Sequence, residues 1–342
     1  MKTFCFLKNR KLYALLIVLL FFSAGPLFAQ RRMPPIRLAS LVPENTPWGA
    51  AINRMAADWG RATNGEVQVI VYHNATAGDE PEVLRKLRLN DIQAAVFTSI
   101  GLSSLMPEVM TISYPFLIRN DDEFDEVMGK LRTDLDSRIQ RNGFVTLAWA
   151  HAGWIKFFSK APIFVPNDLR RMKLGTGSEE EMIQAFRIMG YQITPTTLSS
   201  ILTDLNSGKI DAIYQSPVYA GGSQVFGVAK NMANINVAPF MGGILMNETA
   251  WRRIPDRHKN QLLAICKQME REIESSIHNL ENDTIVTMRR YGLQVNDLSA
   301  QQMQEWYADT GRFENMLVGH VFNREYYTKI NAILAEYRRG QR

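Results

Sequence analysis

The sequence predicts an α/β protein folded as a two-lobed clamshell, with one long helix spanning both lobes. Three observations carry this. Two β-helix-β steps follow one another between Ile36 and Phe97, a second unit of the same kind runs from Lys173 to Tyr214, and a helical stripe of unusual length runs from Pro255 to about Arg290. Successive β-helix-β steps imply parallel strands joined by right-handed crossovers, because parallel neighbours need a long connection.

Ile36 to Leu41 reads as the first strand. Pro43-Glu44-Asn45-Thr46-Pro47 is turn chemistry, with Thr46 able to cap a helix that has Pro47 at its first position. Ile52, Met55, Ala56 and Trp59 give that helix its apolar face, and Asn64-Gly65 ends it. Glu66 to Tyr72 alternates and is β-branched, which predicts a strand. Asp79 to Leu89 is a helix with Val83, Leu84 and Leu87 inward, and Ile92 to Phe97 a strand. Asn120 to Ile139 is a helix whose clustered acids suit the positive end of its dipole. The spacing and turn glycine of a calcium loop are missing there. Phe144 to Ala150 is a strand. In the second unit, Lys173-Leu174, Gln192-Ile193 and Ile210 to Tyr214 are strands, with helices at Ser178–Met189 and Leu198–Asn206. Ile235 to Leu245 is an extended return towards the first unit.

The stripe Leu262, Leu263, Cys266, Met269, Ile273, Ile277 and Leu280 keeps helical spacing without sustained heptads, which favours a helix crossing both lobes over a coiled coil. Roughly 35 residues at about 1.5 Å each reach about 50 Å. Leu298 to Arg338 holds one or two closing helices anchored by Trp306, Phe313, Met316, Phe322 and Tyr326. The predicted organisation is 1–29 as a leader, 30–152 with 241–280 as lobe I, 153–240 with 281–308 as lobe II, and 309–342 as a C-terminal helix packing back on lobe I.

The leader accounts for most of the basic character. Of 342 residues, 39 are Lys or Arg and 34 Asp or Glu, a net charge of +5. Lys2, Lys8, Arg10 and Lys11 precede an unbroken apolar run, Leu12 to Phe22, and Ala29 offers a small residue at the exit. This is the pattern of a secretory signal peptide. Eleven residues of helix reach about 17 Å, short of the ~30 Å hydrocarbon core; an uncleaved anchor extending to Phe28 is the alternative. Without residues 1–29 the balance is 35 basic to 34 acidic, so the case for a nucleic-acid partner loses its support. Cys5 leaves with the leader, and the remaining Cys266 sits in the helical stripe as a buried thiol unable to form an internal disulfide.

Catalytic patterns are missing. His73, His151, His258, His278 and His320 form no helical pair for zinc, there is no Gly-x-Ser-x-Gly elbow, and no metal or cofactor is implied. Gly175-Thr176-Gly177 invites a phosphate loop, but Glu179, Glu180 and Glu181 would repel phosphate, and Ser178 with Glu181 fits a capping box.

A run of motifs resembles the substrate-binding proteins of tripartite ATP-independent periplasmic (TRAP) transporters, the DctP-like family. Leu38 to Gly49 resembles the family's opening, and Gly78-Asp79-Glu80-Pro81-Glu82 its G-D-E helix start. Pro107-Glu108, Pro115-Phe116-Leu117, Gly153-Trp154 and Pro166 to Leu174 follow in family order. Leu205 to Ala212, and Trp251 before the long helix, complete a resemblance covering nearly all of 36–338. It implies a periplasmic binding protein clamshell, without catalysis, that captures a small-molecule ligand by hinge closure and delivers it to TRAP membrane permease subunits. The second reading is an exported hydrophobic-ligand carrier or scaffold that works with another periplasmic protein.

The departures from the family are informative. The resemblance implies that most relatives clamp a carboxylate with two arginines, one after the Gly-Trp pair and one after the Lys-Leu pair; here those positions are Ile155 and Gly175. Neither can supply a bidentate, charge-assisted grip. Lys156 alternates to the opposite face from Ile155, Lys173 reads as structural, and Arg85 or Arg187 could stand in by type alone. These losses imply a roomier, more apolar cleft lined by Trp48, Ile155, Leu198 and Tyr214, and a ligand that is larger or more hydrophobic than a simple carboxylate. Strand ends at a lobe interface are where open α/β sheets place ligands. On that ground Ser40, Leu41, Thr98 and Ser99 are the expected contacts from lobe I. Tyr214 and Gln215 are those from lobe II, with Trp154 and Ile155 at the crossing and Gly175 on the strand between.

Overall fold

A computed structural model of the chain describes residues 33–177, 180–197 and 200–341. The leader, the Ser178 cap and Leu198 lie outside these residues. The first half runs β1 (Ile36–Ala39), α1 (Pro47–Ala62), β2 (Val69–Tyr72), α2 (Glu80–Arg88), β3 (Ala94–Thr98), α3 (Ser99–Ser103), a 3-10 helix (Pro107–Ser113), α4 (Asp121–Arg141) and β4 (Phe144–Ser159). Then come α5 (Pro166–Arg170), β5 (Lys173–Thr176), α6 (Glu180–Ile188), β6 (Gln192–Pro195), α7 (Ile201–Asn206), β7 (Ala212–Gln215) and α8 (Pro217–Gly222). The chain continues through β8 (Asn231–Asn234), β9 (Ala238–Asn247), α9 (Glu248–Arg253), α10 (Asp256–Arg290), β10 (Gln294–Asp297), α11 (Ala300–Arg312), α12 (Glu314–Leu317) and α13 (Arg324–Gly340).

Local chemistry sets the helix starts. Thr46 Oγ1 accepts from the Gly49 amide at 3.1 Å with Pro47 at the first helical position, as its sequence predicts. Asp79 and Asn120 cap α2 and α4 in the same way, accepting from Glu82 and Glu123 at 3.0 and 2.9 Å.

The strands order β2-β1-β3-β9-β4-β7-β5-β6, with β8 joining β4 to β10. β1 is parallel to β2 and β3, and β5 parallel to β6 and β7, so each lobe has the parallel unit the sequence predicts. An antiparallel pair, β4 and β9, ties the two units together.

β4 corrects the sequence reading. The strand expected over Phe144 to Ala150 runs on through Gly153 to Ser159 and passes from one lobe into the other. Gly153 takes φ +93, and the pairing with β9 shifts register between His151 and Trp154. A side chain at 153 would strike the Glu281 carboxylate at 2.3 Å, so the bulge needs glycine.

α10, Asp256–Arg290, is the predicted long helix, and it runs along β4. Over its first half β4 pairs only with β9, leaving an open edge. Two buried carboxylates of α10 cover it: Glu270 accepts from the Trp149 amide at 2.6 Å and Glu281 from the Trp154 amide at 2.9 Å. Eleven helical residues and five strand residues each span about 16 Å, so the spacings match. Glu270 is also held by Arg132 at 2.7 and 3.0 Å.

Three apolar clusters form the core. One lies under α1 and α10 in lobe I and one around Phe158, Ile210 and Met288 in lobe II. The largest extends through both lobes by way of Phe116, Trp306 and Phe157, whose rings follow one another at 5.3 and 5.5 Å. Cys266 is buried, and burial pushes its thiol up to about 12, which leaves it inert.

Candidate functional site

Three of the expected contacts meet in one pocket. The end of β1 brings Leu41, the first turn of α1 brings Trp48, and the end of β3 brings Thr98. β4 and β9 form the floor, with Ala150, Ala152, Phe240 and Met241, and α10 closes one side with Met269 and Ile273. The cavity itself holds about 70 Å3 and opens into a wider mouth. Its walls are almost wholly apolar side chains. Gly242 and Gly243 belong to the floor, and a side chain at 242 would meet the Phe97 carbonyl oxygen at 2.5 Å, so β9 and β3 approach closely only because glycine is there.

The polar groups at the rim are engaged. Thr98 donates its amide and its hydroxyl to Glu80 at 2.6 and 2.9 Å. Ser40 Oγ accepts from the Val42 amide at 3.1 Å and lines a smaller crevice beside Glu80. Ser99 is buried in the first turn of α3. The Trp48 indole N–H is buried with no partner among the described residues, so a ligand acceptor could satisfy it.

Lobe II departs from expectation. The Tyr214 ring is not on an open wall: it packs against Phe186 and Phe157, with centroids 5.3 and 6.1 Å away. Gly175 does not enlarge the cleft, because Ile210 fills the space beside it, its Cδ1 2.7 Å from where a Cβ would stand. Trp154 is buried, its indole N–H donating to Asp121 at 2.9 Å, and Ile155 is buried opposite Ala238 of β9. Gln215 is half-buried at the end of β7, accepting from the Ser216 amide at 3.3 Å. None of these five lines the apolar pocket.

No replacement arginine enters it either. Arg85 and Arg187 are exposed on α2 and α6. Lys156 is buried and donates to Asn236 at 2.8 Å; burial holds its ammonium down at about 8, against the opposing pull of Glu281 and Asp121. Lys173 Nζ bonds the Gly208 carbonyl and lies 3.9 Å from Asp211, a structural role.

Sequence reasoning missed the β9 floor. Phe240-Met241-Gly242-Gly243 carries a signal, since paired glycines inside a strand mark close backbone approach. The Thr176 hydroxyl at the end of β5 is buried with no partner among the described residues. Beside the pocket, His151 stacks on Phe124 at 4.2 Å with Nδ1 3.4 Å from Asp121. Burial pushes its imidazole down to about 4, against the pull of Asp121. Among the described residues no group of three or more His, Cys, Asp or Glu is placed to hold a metal, and no helix is long and apolar enough to cross a membrane.

This geometry has counterparts among known proteins. A TRAP periplasmic solute-binding protein from Ochrobactrum anthropi, its C-terminus bound in its ligand pocket, superposes with TM-score 0.84 at 18% identity, covering 91% of this chain and 97% of that one. One from Chromohalobacter salexigens with bound D-glucuronate gives 0.79 at 18% identity, over 87% and 98% of the two chains. In sequence, the C4-dicarboxylate-binding periplasmic protein DctP of Vibrio cholerae is 22% identical over 76% of this chain and 79% of its own length. The model of the DctP family, bacterial extracellular solute-binding protein family 7, matches residues 38–313. The chain therefore belongs to the DctP family of bacterial extracellular solute-binding proteins.

Proposed function

We propose that this solute-binding protein is exported to the periplasm through residues 1–29, captures a ligand with a substantial apolar body by hinge closure, and hands it to TRAP membrane permease subunits. The observation that carries the ligand class is the pocket at Leu41, Trp48 and Met241, whose walls offer no charged side chain. Burying a few hundred Å2 of apolar ligand surface at ~25 cal/mol per Å2 supplies several kcal/mol without an ion pair. Similar proteins hold D-glucuronate and, in one from Sulfurospirillum deleyianum, succinate. The family's two clamping arginines, which suit such ligands, are Ile155 and Gly175 here. Loss of both guanidinium groups, with Lys156 bonded elsewhere, favours a ligand that is not a simple carboxylate.

Native mass spectrometry of the purified protein tests this. A co-purified molecule of largely apolar composition, released on denaturation, supports the receptor. A co-purified sugar acid or dicarboxylate that an apolar dye displaces from the cleft contradicts the ligand class. An empty cleft together with a tightly bound second protein favours the carrier or scaffold instead.

A further inference from the structure

A second pocket, of about 150 Å3, lies between the segment Tyr114–Arg119 and the closing helices. It shares no residue with the apolar pocket. Its walls come from both sides of the molecule: α11 and α12 pack on α5 and α6, whereas α13 packs on α4 and the 3-10 helix.

Most of its polar groups are satisfied. Arg338 grips Glu123 through two bonds of 2.7 Å and donates to the Leu117 carbonyl. The Thr310 hydroxyl donates to the Trp306 carbonyl, and Tyr327 is bonded to Glu314 and Asn331. Two buried polar atoms in its lining have no partner among the described residues, Arg119 Nε and the Tyr114 hydroxyl. Tyr114 is only 3% exposed, and burial pushes its phenol well up, so it remains a donor. Arg119 lies 3.8 Å over the Tyr307 ring and has no carboxylate within ion-pairing distance among the described residues.

The segment is held rigidly. The Arg119 amide donates to Glu123 at 2.9 Å, and its carbonyl accepts from Asn236 at 3.0 Å. Phe116 takes φ +61, a left-handed conformation unusual for a bulky residue, and its amide donates to the Val237 carbonyl at 2.7 Å. Strained, over-determined backbone of this kind gathers at ligand sites. A pocket whose unmet groups are a guanidinium N–H and a phenol O–H asks for an acceptor with negative charge.

We propose that this pocket is a second ligand site, which binds a small carboxylate anion through Arg119 and Tyr114, separate from the solute cleft. Calorimetric titration of the purified protein with sodium acetate at fixed ionic strength tests it, with the neutral dye N-phenyl-1-naphthylamine marking the apolar pocket. The expected result is saturable binding at one site, weakened roughly tenfold or more by Arg119→Gln and severalfold by Tyr114→Phe, with no displacement of the dye. Tyr114→Phe removes a single oxygen and keeps the test sound should Arg119→Gln fail to fold. Absence of saturable binding, binding that neither variant weakens, or displacement of the dye by acetate would each overturn the proposal.

Discussion

The two lobes treat their strand ends differently. In lobe I the ends of β1 and β3 open onto a pocket with Leu41, Trp48 and Thr98 on its walls. In lobe II the corresponding residues have been absorbed into packing: Tyr214 sits among Phe157 and Phe186, and Gly175 lies under Ile210. The difference teaches that a glycine at a strand end need not leave a hole. A neighbour's methyl can take the volume, so the apolar character of the site comes from lobe I and from the floor contributed by β9.

The largest effect should come from Tyr214→Ala. A ring buried among two others costs about 3–5 kcal/mol on truncation, measured by denaturant unfolding. A loss under about 1 kcal/mol would return Tyr214 to an open wall and break the contrast. Next, Gly175→Ala tests the packing by its sign. With Ile210 in the way, it should destabilise by about 1–3 kcal/mol, relieved by Ile210→Val; an open site would instead give a gain of about 0.5–1 kcal/mol, as alanine replaces glycine in a strand.

His151 sharpens the comparison at the crossing between the lobes. Its imidazole is held near 4 against 6.5 in the unfolded chain, so the unfolded state takes up the proton first as pH falls. Stability should therefore be unaffected by this group above pH 6.5 and decline between 6.5 and 4, by at most about 3 kcal/mol. His151→Gln should flatten that part of a stability–pH profile relative to the parent. Smallest is Trp48→Ala, which should weaken binding of the naphthylamine dye about tenfold with little change in the unfolding midpoint; unaltered dye affinity would move the site away from α1.

Most of the fold was legible because its signals are local. Alternation marks β2, the Thr46-Pro47 and Asp79 caps mark helix starts, and one long stripe marks α10. What escaped depended on distant partners. β4 passes Gly153 with the next amide, that of Trp154, satisfied by Glu281 far along the chain. Glu270 and Glu281 look like breaks in an apolar stripe, yet they satisfy the amides of a buried strand edge that has no neighbouring strand. Of the apolar pocket's lining, Leu41 and Thr98 could be read from strand-end position, whereas Trp48 enters from the first turn of α1. The contributions of Phe240 and Met241 could not, since they depend on β9 returning between β3 and β4. The helices α11–α13 were expected as one or two, and the break at Phe313 has no strong turn signal in its neighbours.

The central claim is that apolar burial, without an arginine clamp, holds the ligand in the cleft. Calorimetric titration with succinate, D-glucuronate, a keto acid and sialic acid, with the neutral dye present, tests it most directly. The account predicts that none displaces the dye, and that no cleft binding tighter than about millimolar is seen. Micromolar binding of any of them in competition with the dye would contradict it.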